Sequence, residues 1–221
     1  MRFKDRREAG SRLAGPLKAY KGEDVVIYAL PRGGVVLGAE IAKALGAPLD
    51  LIIPRKIGHP QNPEYAICAV TETGPPICNQ EEVEHVDPLW LKSEIERQRV
   101  EIRRRREKFL GGIAPKPAEG KVCIIVDDGI ATGLTMLAAI GGLKAQRPGR
   151  IIVAVPVVPY EIARRLTEEA DELVSLLIET NFLGAVGSYY EDFSQTEDDE
   201  VIELLKSAEE AYIAAKGAKT R

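Results

Sequence analysis

The chain has 221 residues, of which 45% are hydrophobic and 29% are charged, a balance typical of a folded globular protein. Its formal net charge of -4 at pH 7 disfavours a surface built to hold nucleic acid through the phosphates. The sequence shows no apolar signal segment at its start and no apolar run near the roughly 20 residues that cross a bilayer. We therefore expect a cytoplasmic protein that is not inserted in a membrane.

The three cysteines, Cys68, Cys78 and Cys123, are an odd number and lack the CxxC spacing of metal clusters. Cys68 and Cys78 could face each other across a hairpin, but we expect two reduced, half-buried thiols. The cysteines thus predict neither a metal cluster nor a disulfide framework.

The first part of the chain alternates between helical and strand-like patterns. An amphipathic helix is predicted at 5–20, with Asp5 as its N-cap. The apolar run at 25–30 suits a buried parallel strand, and a helix at 36–45 and a strand at 49–53 follow it.

The middle of the chain departs from this rhythm. Glycine, proline and polar residues at 58–63 predict a mobile loop, and short strands at 65–70 and 76–78 predict a projecting hairpin. A long helix at 87–109 has proline in its first turn. The arginine run at 103–106 alternates with glutamates nearby, which predicts a mostly solvated face.

The alternation returns in the second half of the chain. The predicted elements are strands at 122–126, 151–155 and 173–178, and helices at 133–145 and 160–170. An irregular stretch at 181–195 precedes a final helix that begins near Thr196, and we expect its last residues, 216–221, to fray. This order predicts a doubly wound, mainly parallel α/β sheet from which a hairpin and a long helix project.

The strongest functional pattern runs from Cys123 to Thr135. An apolar strand ends at Asp127 and Asp128, and the carboxyl ends of parallel strands are where open α/β sheets bind ligands. A glycine-containing loop then opens a helix, whose free N–H groups suit a phosphate monoester. The carboxylates would repel that phosphate, so we expect them to face ribose hydroxyls or a hydrated magnesium ion. The segment lacks both the Walker lysine and the GxGxxG pattern.

Over its whole length this segment resembles the motif with which type I phosphoribosyltransferases bind 5-phosphoribosyl pyrophosphate (PRPP). The resemblance implies a Rossmann-like fold with a small hood, and it implies that Asp127 and Asp128 bind the ribose hydroxyls. It also implies Mg²⁺ as the cofactor. PRPP would hold the ion, and either Asp127 or Asp128 could bind it through water. The loop residues expected to bind PRPP are Gly129, Ile130, Ala131, Thr132, Gly133, Leu134 and Thr135.

Two further strand ends are similar to the family's pyrophosphate-binding region. Arg32 is followed by Gly33 and Gly34, which permit a close approach of the backbone to phosphate. Arg55 and Lys56 are expected to neutralise pyrophosphate from the other side. Together with the two aspartates, Arg32 and Lys56 are the expected catalytic residues.

The acceptor site is the least transferable part of the resemblance. The hood at 181–195 is rich in aromatic residues, and a base needs a flat apolar surface on which to stack. The candidate base-binding residues are Phe182, Tyr189, Tyr190 and Asp192. The alternative interpretation is that 181–195 forms a packed edge between the last strand and the last helix and binds no base. We expect His59, in its polar loop, to be solvated rather than a catalytic acid.

The resemblance covers nearly the whole chain and is closest to uncharacterised prokaryotic proteins with a phosphoribosyltransferase domain. It implies one domain over 1–221, with its core at 22–180, its hood at 181–195 joined by N-terminal residues, and a C-terminal helix at 196–221. The 6-oxopurine members carry an aspartate where this chain has Ala131, which disfavours hypoxanthine or guanine as the acceptor.

The implied reaction transfers the phosphoribosyl group from magnesium-bound PRPP to a small nitrogenous base, with release of pyrophosphate. The resemblance to the family also implies a homodimer. One alternative is a PRPP-sensing or RNA-binding regulator without turnover, supported by the arginine run alone. The other is transfer to an acceptor that is not a nucleobase, or to water.

Overall fold

The computed structural model describes residues 2–219, which contain eight strands and seven α-helices. The strands are β1 (Val25–Ala29), β2 (Leu49–Leu51), β3 (Arg55–His59), β4 (Asn62–Val70), β5 (Ile77–Cys78), β6 (Val122–Val126), β7 (Arg150–Pro159) and β8 (Glu172–Glu179). The helices are α1 (Arg6–Leu17), α2 (Gly33–Leu45), α3 (Gln80–Val83), α4 (Pro88–Leu110), α5 (Leu134–Lys144), α6 (Tyr160–Glu169) and α7 (Asp198–Lys219). Among the described residues, no helix combines the length and the apolar character that a bilayer crossing needs.

Five strands form a parallel sheet in the order β2-β1-β6-β7-β8. Successive side chains of a strand point to opposite faces, so β1 sends Ile27 to one core and Tyr28 to the other. The first core includes residues of α1, α2 and α7, and the second includes residues of α5 and α6. Helices therefore cover both faces, which confirms the predicted doubly wound α/β class.

The start of α1 follows the prediction, because the Asp5 carboxylate accepts a hydrogen bond from the Glu8 N–H at 2.8 Å. The helix ends earlier than predicted, and a 3₁₀ turn covers Lys18–Tyr20. At the other end of the chain α7 remains helical to Lys219, so the expected fraying from 216 is wrong for the described part. Residues 220–221 lie outside the described residues.

β7 continues past the predicted end at 155 to Pro159. Residues 150–154 pair with β6, whereas the continuation pairs with β8 alone among the described strands. A strand with no partner on one side tolerates residues that lack an N–H donor. Pro156 therefore lies inside the strand rather than ending it, and Pro159 is the last residue of the strand.

The segment predicted as a mobile loop at 58–63 belongs to a paired structure instead. β3, β4 and β5 form an antiparallel sheet, and the β3–β4 pairing runs from Arg55 opposite Val70 to His59 opposite Asn62. Two residues, Pro60 and Gln61, thus connect the strands. The sequence pattern missed this because glycine and proline, which predict loops, occur here inside a bulged hairpin.

Cys68 and Cys78 form a disulfide bond, so the expectation of two reduced thiols is wrong. The β4–β5 register places these residues directly opposite each other, and facing residues of antiparallel strands bring their Cβ atoms close together. The third cysteine, Cys123, is free, and burial raises the pKa of its thiol to about 12.

The arginine run on α4 divides between surface and interior. Arg104 pairs with Glu101 at the surface, as predicted, but Arg106 turns inward. One of its terminal nitrogens lies 2.6 Å from the Asp50 carboxylate, whose residue is 1% exposed. The expectation of a mostly solvated arginine face is therefore wrong at Arg106.

Asp50 gathers donors from three parts of the chain. Beside Arg106, its carboxylate accepts hydrogen bonds from the N–H groups of Leu51 at 2.6 Å and Lys116 at 2.7 Å. Arg106 also donates to the Leu51 carbonyl oxygen. This buried cluster joins α4 and the connection before β6 to the edge strand β2.

Replacing Asp50 with alanine should therefore lower stability strongly. Asp50→Ala leaves a buried guanidinium and two N–H groups without their acceptor, and we expect the free energy of unfolding to fall by about 3–5 kcal/mol. Urea unfolding followed by circular dichroism measures this change.

Glu119→Ala is the matched control, since Glu119 pairs with Arg147 where the side chains are 66% and 80% exposed. We expect that variant to lose less than about 1 kcal/mol. Equal losses in the two variants would contradict a structural role for Asp50.

Candidate active site

The carboxyl ends of β1 and β6 lie side by side, because Ala29 pairs with Val126. The 30–34 loop therefore lies against Asp127 and Asp128, which we call the acidic pair. A Cβ atom on Gly33 would lie 2.0 Å from Oδ2 of Asp128, and one on Gly34 would lie 2.7 Å from the Val126 carbonyl oxygen. Both positions require glycine because the loop has no room for a side chain.

Two helices begin at this edge of the sheet without a side-chain cap. α2 starts at Gly33, three residues before the predicted start, and its N-cap residue Arg32 makes no capping hydrogen bond with its side chain. Gly133, with φ of 77°, is the N-cap of α5 and has no side chain to cap with. The first-turn N–H groups of both helices thus have no side-chain acceptor at the cap, and both positive dipole ends favour anions.

The 129–135 loop is held between β7 and the acidic pair. The Ile130 N–H donates to the Val157 carbonyl oxygen at 2.9 Å. Ala131 and Thr132 are exposed, and Leu134 and Thr135 in the first turn of α5 are half-buried. The loop therefore combines a fixed backbone with an accessible surface, which a phosphate site needs.

The two carboxyl groups of the acidic pair have different electrostatic surroundings. Burial and the neighbouring Asp128 raise the pKa of Asp127 well above its usual range. Burial also raises the pKa of Asp128, but the Arg6 guanidinium opposes that shift. Asp127 Oδ1 accepts a hydrogen bond from the Asp128 N–H at 2.9 Å. Asp128 therefore has a direct cationic partner in Arg6, whereas Asp127 has the Asp128 N–H as its donor.

Arg6, in the first turn of α1, is the functional residue that the sequence reasoning missed. Its Nε donates to Asp128 Oδ2 at 2.8 Å, and one terminal nitrogen donates to the Ser194 carbonyl oxygen at 2.6 Å. Its guanidinium lies 3.9 Å from the centre of the Phe193 ring. No local sequence pattern could have indicated this pair, because its two residues are 122 positions apart.

The hood is joined to the acidic pair and to the N-terminal residues. The Tyr190 hydroxyl donates to the carbonyl oxygen of Asp128 at 2.6 Å, and Phe3 forms a parallel bridge with Tyr190. A Cβ atom on Gly129 would lie 2.5 Å from Val186 Cγ1, so the hood packs directly on the 129–135 loop.

The two hood tyrosines are 3% and 1% exposed, so protein covers their rings. Tyr189 stacks on Phe182, and Tyr190 packs between Phe3 and Phe193. In this conformation neither tyrosine presents an open face to a base. Phe182 is half-buried and Asp192 is exposed, so these two keep accessible surface.

The predicted cations lie around the site rather than in contact with the acidic pair in this conformation. Arg32 lies 3.5 Å from Asp198 and 3.8 Å from Glu197, at the start of α7. Arg55 donates to Gln98 on α4. Lys56 is exposed.

The strand that carries Lys56 also borders a cavity of about 350 Å³ against α4, which His59 and Trp90 help to line. His59 is half-buried, and its Nδ1 accepts a hydrogen bond from the Gln61 N–H at 3.2 Å. Together with the Arg55–Gln98 hydrogen bond, this shared cavity places the hairpin against α4.

No cluster of three or more metal-ligating side chains occurs within the described part of the chain. The acidic pair offers hard carboxylate oxygens, the ligands that Mg²⁺ prefers. Arg6 already binds one of those oxygens. The donor set thus suits a hydrated Mg²⁺ that another ligand also holds, rather than a metal bound by protein alone.

The raised pKa of Asp127 leads to a stability prediction. A carboxyl group whose pKa is higher in the folded state costs stability as pH rises from about 4 through the raised value. Asp127→Asn removes that cost and keeps the acceptor for the Asp128 N–H. We therefore expect a higher melting temperature than wild type at pH 7–8, and a smaller difference near pH 4.

The control for this prediction is Asp192→Asn. Hydrogen bonds from Ser194 lower the pKa of Asp192, so its ionised form contributes stability above the usual pKa and loses it as pH falls. This variant should show no gain at neutral pH. A fall in melting temperature for Asp127→Asn across the whole pH range, measured without magnesium or phosphate, would contradict the assignment.

Comparisons with known proteins agree with this architecture. The family model "Phosphoribosyl transferase domain" matches residues 7–192. Two Mycobacterium tuberculosis proteins, from strains CDC 1551 and H37Rv, both named "Putative phosphoribosyl transferase", are each 40% identical over 96% of this chain. The chain spans 48% of the length of these relatives.

A solved structure resembles the whole described fold. The crystal structure of TT1426 from Thermus thermophilus superposes with a TM-score of 0.81 at 40% identity, covering 94% of this chain and 99% of that one. The family resemblance predicted from the sequence is confirmed. The chain belongs to the phosphoribosyl transferase domain family.

Proposed function

We propose that this chain binds PRPP with Mg²⁺ and transfers the 5-phosphoribosyl group to a small nitrogenous base, releasing pyrophosphate. One observation carries the proposal. The acidic pair lies between two helix N-termini that have no side-chain caps, at the carboxyl edge of a parallel sheet. This edge offers two anion sites on either side of two carboxylates, which matches the order phosphate, sugar diol, pyrophosphate along PRPP.

The 5′-phosphate occupies the 129–135 loop in this proposal. Ala131 and Thr132 present backbone to solvent, and Gly133 opens α5 without a capping side chain. The N–H groups of the first turn then receive the phosphate oxygens, and the Thr135 hydroxyl adds a donor. Ile130, bonded to β7, fixes the loop before the ligand arrives.

The ribose lies over the acidic pair, whose carboxylates accept its 2′- and 3′-hydroxyls. Pyrophosphate then lies at the 30–34 loop, where Gly33 and Gly34 let the backbone approach closely. Arg32 supplies positive charge once it leaves the acidic start of α7. Arg55 and Lys56 do the same if the hairpin moves from α4 towards the sheet edge.

The protein acts mainly through position and charge. The bond between C1′ and the pyrophosphate oxygen breaks as the base nitrogen attacks, so positive charge develops on the sugar and negative charge on pyrophosphate. When bound to PRPP, Mg²⁺ supplies neutralisation of the leaving group. The protein's own groups hold the sugar and the 5′-phosphate still, and the N–H groups of the 30–34 loop meet the growing charge.

The acceptor lies under the hood, beside Phe182 and Asp192. These two candidates retain exposed surface, whereas the rings of Tyr189 and Tyr190 are covered. We therefore assign the two tyrosines to holding the hood and leave stacking to Phe182. Ala131, in place of an aspartate, favours an acceptor other than a 6-oxopurine.

Pyrophosphate release from PRPP and Mg²⁺ tests the function directly. Purified protein is assayed with a panel of purine and pyrimidine bases and without any base. Release that depends on one base supports transfer and identifies the acceptor class. Release without a base indicates a hydrolase, and PRPP binding without release indicates a regulator on the same fold.

Asp128→Asn should lower PRPP affinity or turnover at least tenfold, which corresponds to about 1.4 kcal/mol. The amide cannot accept hydrogen bonds as strongly as the carboxylate does, and it loses its ion pair with Arg6. Calorimetric titration with PRPP and Mg²⁺ measures the affinity, and the pyrophosphate assay measures turnover. Wild-type values from this variant would refute the assignment of the acidic pair.

Gly33→Ala should abolish PRPP binding, because the new Cβ atom displaces the Asp128 carboxylate. Gly217→Ala is the control: nothing lies within 4 Å of the added Cβ atom, and alanine suits the exposed end of α7. Normal PRPP binding by Gly33→Ala would show that the close packing of this loop on Asp128 is not required.

A further inference from the structure

Arg6 connects the Asp128 carboxylate with the end of the hood through a single side chain. On one side its Nε binds the Asp128 carboxylate at 2.8 Å. On the other side it donates to the Ser194 carbonyl oxygen at 2.6 Å and covers the Phe193 ring at 3.9 Å. One guanidinium therefore holds the sugar-binding carboxylate and the end of the hood together.

The backbone around Arg6 is fixed in the same place. The Phe3 N–H donates to the Tyr189 carbonyl oxygen, and the Glu191 N–H donates back to the Phe3 carbonyl oxygen, each at 2.8 Å. The Asp192 N–H donates to the Lys4 carbonyl oxygen at 2.9 Å. This short ladder ends at the Asp5 cap of α1, so Arg6 emerges from a segment that is itself part of the hood.

The Arg6–Asp128 pair differs from the surface ion pairs of the same helix. Its two side chains are 12% and 16% exposed, and the Asp128 oxygen lies directly against Gly33. The neighbouring Arg7 is 56% exposed and lies 3.7 Å from its partners Glu40 and Glu200. A charge pair enclosed in this way favours one geometry, because separating the two groups would leave each charge poorly solvated and without its partner.

We propose that Arg6 is a positioning residue that sets the orientation of the Asp128 carboxylate and locks it to the closed hood. The inference rests on the proposed function in assigning Asp128 to the ribose. It goes further because it couples the sugar site to the acceptor side, so that a change in one also changes the other. Loss of Arg6 then loosens residues 189–194 and weakens sugar binding at the same time.

The first test needs no ligand. Backbone hydrogen exchange of residues 186–194, followed by mass spectrometry, compares wild type with Arg6→Gln and with the control Arg7→Gln. Glutamine keeps a donor but loses the charge and the fork that bridges Asp128 and Ser194. We expect at least tenfold faster exchange at Glu191 and Asp192 in Arg6→Gln, and unchanged exchange in Arg7→Gln. Equal exchange in all three proteins overturns the proposal.

The second test separates the two ends of the ligand. Affinity for PRPP with Mg²⁺ should fall at least tenfold in Arg6→Gln, while affinity for pyrophosphate with Mg²⁺ should fall by a smaller factor, because pyrophosphate lacks the sugar that Asp128 holds. Arg6→Lys should recover part of the loss, because it keeps the charge without the fork. Tighter PRPP binding by Arg6→Gln would show that Arg6 competes with the ligand, and it would overturn the positioning role.

A double mutant shows whether Arg6 acts through Asp128. If it does, adding Arg6→Gln to Asp128→Asn costs little beyond Asp128→Asn alone. Additive losses would mean that Arg6 contacts the ligand itself, which contradicts the proposal. Failure of wild type to bind PRPP would remove the proposed function, whereas the ligand-free exchange result would still decide whether Arg6 locks the hood.

Discussion

The partial burial of two adjacent carboxylates at the end of β6 is the constraint on which the rest of this site depends. Carboxylates lose hydration when they are buried, and two of them side by side also repel each other. Arg6 approaches one of them, and the Asp128 N–H binds the other. The fold therefore holds charge in a position where isolated residues would not keep it.

The residues that surround the acidic pair are arranged in ways that satisfy this constraint. Gly33 lies against the Asp128 carboxylate because any side chain would occupy the same space. Tyr190 binds the Asp128 carbonyl oxygen, and Phe193 lies beneath the guanidinium that pairs with Asp128. Residues from both ends of the chain thus meet at one carboxylate. A ligand with hydroxyl groups would satisfy these carboxylates, which explains how a costly arrangement can serve binding.

The hairpin and α4 form a second layer at some distance from the acidic pair. A disulfide joins β4 to β5, and the Asp50–Arg106 pair joins α4 to the sheet. The hairpin and the long helix were predicted from the sequence, and only 58–63, predicted as a loop, belongs instead to the paired strands β3 and β4. In the proposed reaction the hairpin contributes through Arg55 and Lys56. The charge that it supplies to pyrophosphate therefore depends on where the hairpin lies relative to the sheet edge.

Much of the fold was determined by local pattern. Apolar runs predicted the five parallel strands, and helical periodicity and capping residues predicted the helices. Both patterns record interactions between neighbouring residues or burial of a whole segment. The acidic pair and the 129–135 loop were equally local, because one strand, one turn and one helix start contain them all.

The tertiary structure decided what depends on contacts between distant segments. It determined the strand register that pairs Cys68 with Cys78, the inward turn of Arg106 and the approach of Arg6 to Asp128. It also covered the tyrosine rings that the sequence offered to a base. A sequence pattern states which residues will be buried, but the partner of a buried charge or ring depends on how the chain returns to the same place.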